Sequence, residues 1–209
     1  MALTDHPLLN KQPIPALLVV ISGPSGVGKD SILMALRARN IPFHFVVTAT
    51  SRPIRPGEQD GYDYHFVSHE RFEQLIQENE LIEWAEVYGQ YKGVPKFEIR
   101  QALESGKDVI LRIDVQGAAS IRKLAPDALL IFVAPGDLNE LRERLEQRHT
   151  EASDEIETRL AIVRQEFQSI DAFDYLVINR HDCLEEAVDC ICAIVKAEKQ
   201  RVHPRKVQL

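Results

Sequence analysis

The sequence predicts an α/β fold: a doubly wound parallel five-stranded core with a small mixed α/β lobe inserted into it. Three observations carry this prediction. Apolar, β-branched runs recur at 17–21, 43–49, 109–113, 129–133 and 175–178, with helical stretches between most of them. The first run breaks at Ser22–Gly23 into a glycine-rich loop, and a helix opens near Lys29. The alternation fails once, from about Thr50 to Lys96, where the texture changes.

In chain order, residues 1–15 carry Asp5 and three prolines and read as a loose arm, with no charged start and apolar core of a signal peptide. Leu17–Ile21 reads as a buried strand, Ser31–Arg39 continues the helix, and Phe43–Ala49 is expected as a second strand. The run TSRPIRPGEQDGYDY at 50–64 is rich in Pro, Gly and charge. Beyond it come a short helix over Glu70–Glu78, strands at Leu81–Val87 and Tyr91–Val94, and a helix over Lys96–Glu104 that Gly106 ends. Helices are predicted over Asp137–Arg148, over Ser153–Phe167, where Ile156, Leu160, Val163 and Phe167 share a face, and over Cys183–Lys199. These divisions give a core of residues 16–47, 98–136 and 160–209, with the inserted lobe at 48–97.

Composition narrows the function classes. The chain has 209 residues, 44% hydrophobic and 27% charged, as expected for one soluble globular domain. Its net charge of −7 gives no overall field that favours nucleic acid or an acidic membrane, so anions must be bound by local cations. Cys183, Cys190 and Cys192 are odd in number and lack metal spacing; they read as packing residues. With no apolar run long enough to span a bilayer, the cytoplasm is the expected compartment. The basic tail, Lys196–Lys206, reads as cations complementing a helix C-terminus, and His65 and His69 are given no metal role.

The chemistry concentrates in Gly23-Pro24-Ser25-Gly26-Val27-Gly28-Lys29, which fits the G-x-x-x-x-G-K of a phosphate-binding loop of P-loop NTPase type. Glycines let successive N–H groups turn onto a phosphate, the helix N-terminus adds partial positive charge, and Lys29 reaches the transferable phosphate. The pattern wants a Mg²⁺-binding hydroxyl next. Asp30 stands there instead, with Ser31 one place late. A carboxylate is also a hard oxygen ligand. Arg52 and Arg55, in a Pro-flanked turn, present two guanidinium forks that suit a phosphate, although solvated surface arginines read equally well.

Taken together, GPSGVGK, TSRPIRPGEQDGYDYHFVS, LIEWAEVYGQYKGVP, DVILRIDVQGA, LRERLEQR with the TE that follows, and DYLVIN resemble the guanylate kinases in order and spacing over nearly the whole chain. The resemblance implies ATP and GMP as substrates, Mg²⁺ with the ATP, and a helical lid at 137–159. It assigns Arg52, Arg55, Tyr64 and Lys92 to the GMP phosphate, and Glu83, Asp114 and Thr48 to the guanine edge. Glu58 would steady the arginine turn. Arg144, Arg148 and Arg159 would close over the triphosphate, and Asn179 would touch the ATP base. The carboxylate assignment is physically sound: guanine offers N1–H and an amino group to two acceptors, whereas adenine has an acceptor at N1.

Departures from the family pattern are informative. Lys92 replaces a tyrosine, Val94 a hydroxyl residue, His149 a lid glycine, and Arg180 an acidic neighbour of Asn179. Arg112 puts a cation where the family usually carries an acid, and Asp30 puts an acid on the loop. These two are expected to pair, leaving Mg²⁺ to the nucleotide's phosphates and water. GKDS also resembles the loop of ribose 1,5-bisphosphate phosphokinase, and a non-catalytic guanylate-kinase-like binding module is a further alternative. Whether the chain forms a homo-oligomer is left open by the sequence.

Overall fold

A computed structural model describes residues 14–87, 89–137, 139–142 and 153–209. Its core is a five-stranded parallel sheet in the order β2-β7-β1-β8-β9. The strands are β1 (Leu18–Ser22), β2 (His44–Phe45), β7 (Val109–Arg112), β8 (Leu129–Pro135) and β9 (Tyr175–Asn179). The fold is the predicted α/β class.

β1 is buried along its whole length because it has a parallel neighbour on each side, β7 and β8, and helices over both faces. Its side chains divide by alternation. Val19 and Ile21 join Ile110, Leu129 and Ile131 under α1 (Lys29–Ala38), α5 (Ser153–Phe167) and α6 (Leu184–Glu198). Leu18 and Val20 join Val109, Leu111 and Leu130 under α3 (Lys96–Glu104) and α4 (Val115–Leu124).

A second, mixed sheet has the order β4-β3-β6-β5, built from β3 (Ala49–Thr50), β4 (His65–Phe66), β5 (Leu81–Val87) and β6 (Gln90–Pro95). Packed on it, α2 (His69–Gln77) opens with a Ser68 cap that accepts from the Arg71 N–H, and it buries Phe72 and Leu75 beside Ala49 and Leu81.

Two sequence expectations are corrected. The single strand expected over Phe43–Ala49 is two pieces in two sheets. Its backbone is handed from one sheet to the other: Val46 N–H donates to Ile110 O at 3.0 Å, and Thr48 O accepts from His65 N–H at 2.9 Å. An uninterrupted apolar run cannot signal a change of partner. The helix α4 was not anticipated, because Gly117 interrupts its pattern. Asp114 caps it, accepting from Gly117 N–H at 2.8 Å, and Val115, Ala118 and Ile121 bury one face. Residues 1–13 and most of 138–152 lie outside the described residues, as therefore does most of the expected lid helix.

Candidate active site

A cleft of about 770 Å³ opens along the C-terminal ends of β1 and β7, with the second sheet as its far wall. Gly23, Ser25 and Lys29 line one side, Thr48, Tyr64, Glu83, Lys92 and Val94 the other, and Arg112, Asp114 and Glu166 lie between. Ligand sites in open α/β sheets lie outside the carboxyl ends of strands, and this cleft obeys that rule.

The loop between β1 and α1 is tightly seated. A Cβ on Gly23 would come within 2.2 Å of Val133 O, and φ there is +136°, so only glycine fits. Lys29 Nζ is folded back onto its own loop, donating to Gly23 O at 2.6 Å and Pro24 O at 2.8 Å. Burial is the main influence on its ammonium and lowers its pKa; the Glu166 carboxylate opposes that shift. Ser31 is exposed and does not line the cleft.

Asn179, expected against a nucleotide base, lies directly under the loop. It is buried, and its Nδ2 donates to Val27 O at 2.7 Å, bracing the loop from beneath. The backbone of the loop needs that acceptor satisfied once water is excluded.

The arginine turn is prebuilt. Arg52, 7% exposed, donates from Nη1 and Nη2 to Glu58 at 2.7 and 2.5 Å, and Glu58 also accepts from Arg55 N–H at 2.8 Å. These bonds hold the Glu58 carboxyl down at about 2. The Arg52 guanidinium lies over the rings of Tyr64 and Phe66, 4.9 and 5.2 Å from their centroids, and Lys92 Nζ is 5.8 Å from the Tyr64 ring. A fork so held can still present its remaining N–H groups to a phosphate. Arg55 is exposed.

On β5, Glu83 faces Asp114 and the first turn of α4. A Cβ on Gly117 would come within 1.8 Å of Glu83 Oε2, so the missing side chain makes room for this carboxylate. Burial first, and the like charge of Asp114 next, push the Glu83 pKa up to about 7, while Arg112 pulls it back. Val94, buried on β6, offers no hydrogen bond beside it. Gly117 has no role in the sequence reading; the signal available there is Asp114, an N-cap residue standing directly after a strand.

Glu166, on α5, was also missed. Its Oε2 is buried without a hydrogen-bond partner among the described residues, and burial raises its pKa. Local sequence carries no mark of it, since it is one more acid on an amphipathic helix. Arg144 and Arg148 lie outside the described residues. Arg159 falls within α5, but its side chain is likewise outside them.

Among the described residues no three ligating side chains converge. Asp30, the acid in the loop's metal-facing position, pairs instead with Arg112 Nη1 at 3.1 Å.

A sequence model of the guanylate kinase family matches residues 16–198. The chain belongs to the guanylate kinase family. It is 45% identical over 193 residues to a guanylate kinase of Bacillus subtilis (strain 168), covering 90% of this chain and 94% of that one. It is 46% identical over 198 residues to guanylate kinase 2, chloroplastic/mitochondrial, of Oryza sativa subsp. japonica, covering 94% and 70%. A crystal structure of guanylate kinase from Anaplasma phagocytophilum superposes with a TM-score of 0.65 at 30% identity, covering 90% and 89%. Among the described residues, no helix is long and apolar enough to cross a membrane.

Proposed function

We propose that this guanylate kinase transfers the terminal phosphoryl group of ATP to GMP, giving ADP and GDP. The single observation behind this is the pairing, in one cleft, of the loop lysine Lys29 with two carboxylates, Glu83 and Asp114. An acceptor with two adjacent donors, as on the guanine edge, satisfies those acids; adenine would leave one unpaired at a cost large enough to discriminate. A sugar phosphate offers hydroxyl donors in place of that fixed, coplanar pair of N–H groups.

In this reading the GMP phosphate sits against Arg52, Arg55, Tyr64 and Lys92, with Thr48 near the base. A phosphate oxygen of GMP attacks the γ-phosphorus, forming one P–O bond as the bond to the β-phosphate oxygen breaks and ADP leaves. Both reactants are anionic, so the residues neutralise, align and exclude water. Lys29 exchanges its two loop carbonyls for phosphate oxygens. Residues 48–97 act as the GMP lobe and 137–159 as the lid, where Arg144, Arg148 and Arg159 meet the triphosphate. Mg²⁺ arrives with ATP as part of the substrate, and the cytoplasm supplies both nucleotides.

An ADP-release assay with MgATP tests this by offering GMP, AMP, UMP and ribose 1,5-bisphosphate separately. Turnover with GMP alone is the expected outcome. Turnover only with the sugar bisphosphate, or none in a folded protein that binds GMP, overturns it.

A further inference from the structure

The Asp30–Arg112 pair sits at the seam of the cleft. Arg112 ends β7, and its register partner on β1 is Ile21, two residues before the phosphate loop begins at Gly23. Asp30 is in the first turn of α1. The two side chains are 45% and 72% exposed, a setting in which an ion pair contributes little to stability. Its placement therefore calls for another account.

Electrostatics supply the first constraint. Asp30 stands where a triphosphate must dock, and an unpaired carboxylate there repels it. A loop of this kind ordinarily uses the position for a hydroxyl that, with a second acid, holds the metal. Here one ligand position carries the wrong group and the other is a guanidinium bonded to it. The polarity of the metal corner is reversed.

Donor count supplies the second. Guanidinium has five N–H groups. Arg112 Nη1 is ion-paired with Asp30 at 3.1 Å, and Arg112 makes no other ion pair among the described residues, so its N–H groups face the cleft it lines. Location supplies the third. Its field adds to the burial that lowers the Lys29 pKa on the donor side and opposes the rise of the Glu83 pKa on the acceptor side. A cation that acts on both sides stands near where the two phosphates must meet.

We propose that Arg112 is a catalytic residue that binds the nucleotide phosphates at the corner where a phosphate-binding loop ordinarily fixes its metal, with Asp30 holding it in position. The inference rests on the phosphotransferase reading above. Its distinctive consequence is that the protein supplies by guanidinium part of the charge that a metal-holding pair supplies elsewhere. Arg112 forks onto phosphate oxygens as arginine does at planar, bidentate sites.

The test is titration calorimetry of ATP, with Mg²⁺ and in EDTA, on the whole chain, alongside GMP turnover. Arg112 is half exposed, so its replacement leaves the fold intact, and circular dichroism checks that. Arg112→Gln is expected to weaken ATP binding in EDTA by about tenfold or more and to lower kcat by at least as much. Asp30→Ser/Arg112→Gln separates direct from indirect action. If Arg112 grips phosphate, the double variant stays weak in EDTA; recovery of wild-type affinity would mean that Arg112 merely cancels Asp30, and overturns the proposal. Asp30→Ser/Arg112→Glu rebuilds a hydroxyl-plus-acid pair, so its ATP binding is expected to fail in EDTA and return with Mg²⁺. Binding in EDTA that Arg112→Gln leaves within twofold of wild type also overturns it. A wild type that binds ATP but does not phosphorylate GMP overturns the functional reading instead, which keeps the two failures distinct.

Discussion

The two ends of the central sheet carry similar charged side chains and treat them in opposite ways. At the N-terminal ends of the strands Asp108, Asp174 and Glu198 each have several partners. Asp108 accepts from Leu17 N–H at 2.9 Å and from Lys199 Nζ at 2.6 and 2.7 Å. Asp174 accepts from Leu130 N–H at 2.8 Å and Arg122 at 2.9 Å, and Glu198 from Tyr175 Oη at 2.7 Å and Arg205 at 2.8 Å. At the C-terminal ends, Glu83 faces the like charge of Asp114, Glu166 Oε2 has no partner among the described residues, and Lys29 makes do with carbonyls. Groups left unsatisfied are those a ligand can satisfy, so one end holds the sheet together and the other holds strain against a substrate. The basic tail belongs to the first end: Arg201 and Arg205 meet Glu198.

The largest effect should come from a methyl group at the unsatisfied end. Gly117→Ala puts a carbon where Glu83 Oε2 now lies, and the carboxylate must leave its place. If Glu83 reads the base as proposed, losing its charge-assisted bond and leaving a guanine donor unpaired in the cleft corresponds to a drop of roughly 10²–10³ in kcat/KM for GMP. The melting temperature is expected to change little, because the displaced group is the end of a flexible side chain. Unchanged kcat/KM would mean that Glu83 does not read the base.

The saturated end answers differently. Glu198 is 3% exposed, and its removal leaves the partly buried Arg205 with one partner fewer and Tyr175 Oη without its acceptor. Glu198→Ala is expected to cost about 3 kcal/mol. That lowers the melting temperature by roughly 6–12 °C in a chain of this size. Below the transition, kcat/KM for GMP should stay within twofold of wild type. Thermal unfolding beside steady-state kinetics separates the two ends, and a loss of activity at constant stability would break the division between them.

How much of this the sequence reveals depends on the range of each interaction. The strand, loop and helix from Leu18 to Ala38 are local: periodicity, glycine spacing and one lysine determine them, and they stand where the sequence puts them. The helix Ser153–Phe167 is read equally well from its apolar spacing. The break at residues 46–48 is not local, since Val46 and Thr48 find partners at Ile110 and His65 that no window contains. The same holds for Glu98, buried between His44 at 2.7 Å and His65 at 2.8 Å, a carboxylate tying β2 to β4. Nothing near Lys96 in the sequence announces that contact. The Asp30–Arg112 pair was legible for the opposite reason. Each residue breaks a local pattern, and the two breaks are complementary in charge.

The smallest effect sharpens the comparison by giving stability and binding opposite responses to pH at the C-terminal end. Glu83 has its pKa raised from 4.5 to about 7, so the folded chain keeps a proton that the unfolded chain releases. Its contribution to stability is therefore fully present below 4.5, declines as pH rises towards 7, and is absent above. Binding runs the other way, because only the ionised carboxylate accepts from guanine. From pH 6 to pH 8, kcat/KM for GMP should rise about tenfold, levelling off above 7. GMP has a phosphate that titrates nearby, so Glu83→Gln is the control. The substrate's own titration persists in that variant, while the contribution of Glu83 disappears and the profile flattens. A profile as steep in Glu83→Gln as in wild type would place the titrating group elsewhere, and Glu83 would then belong with the saturated acids.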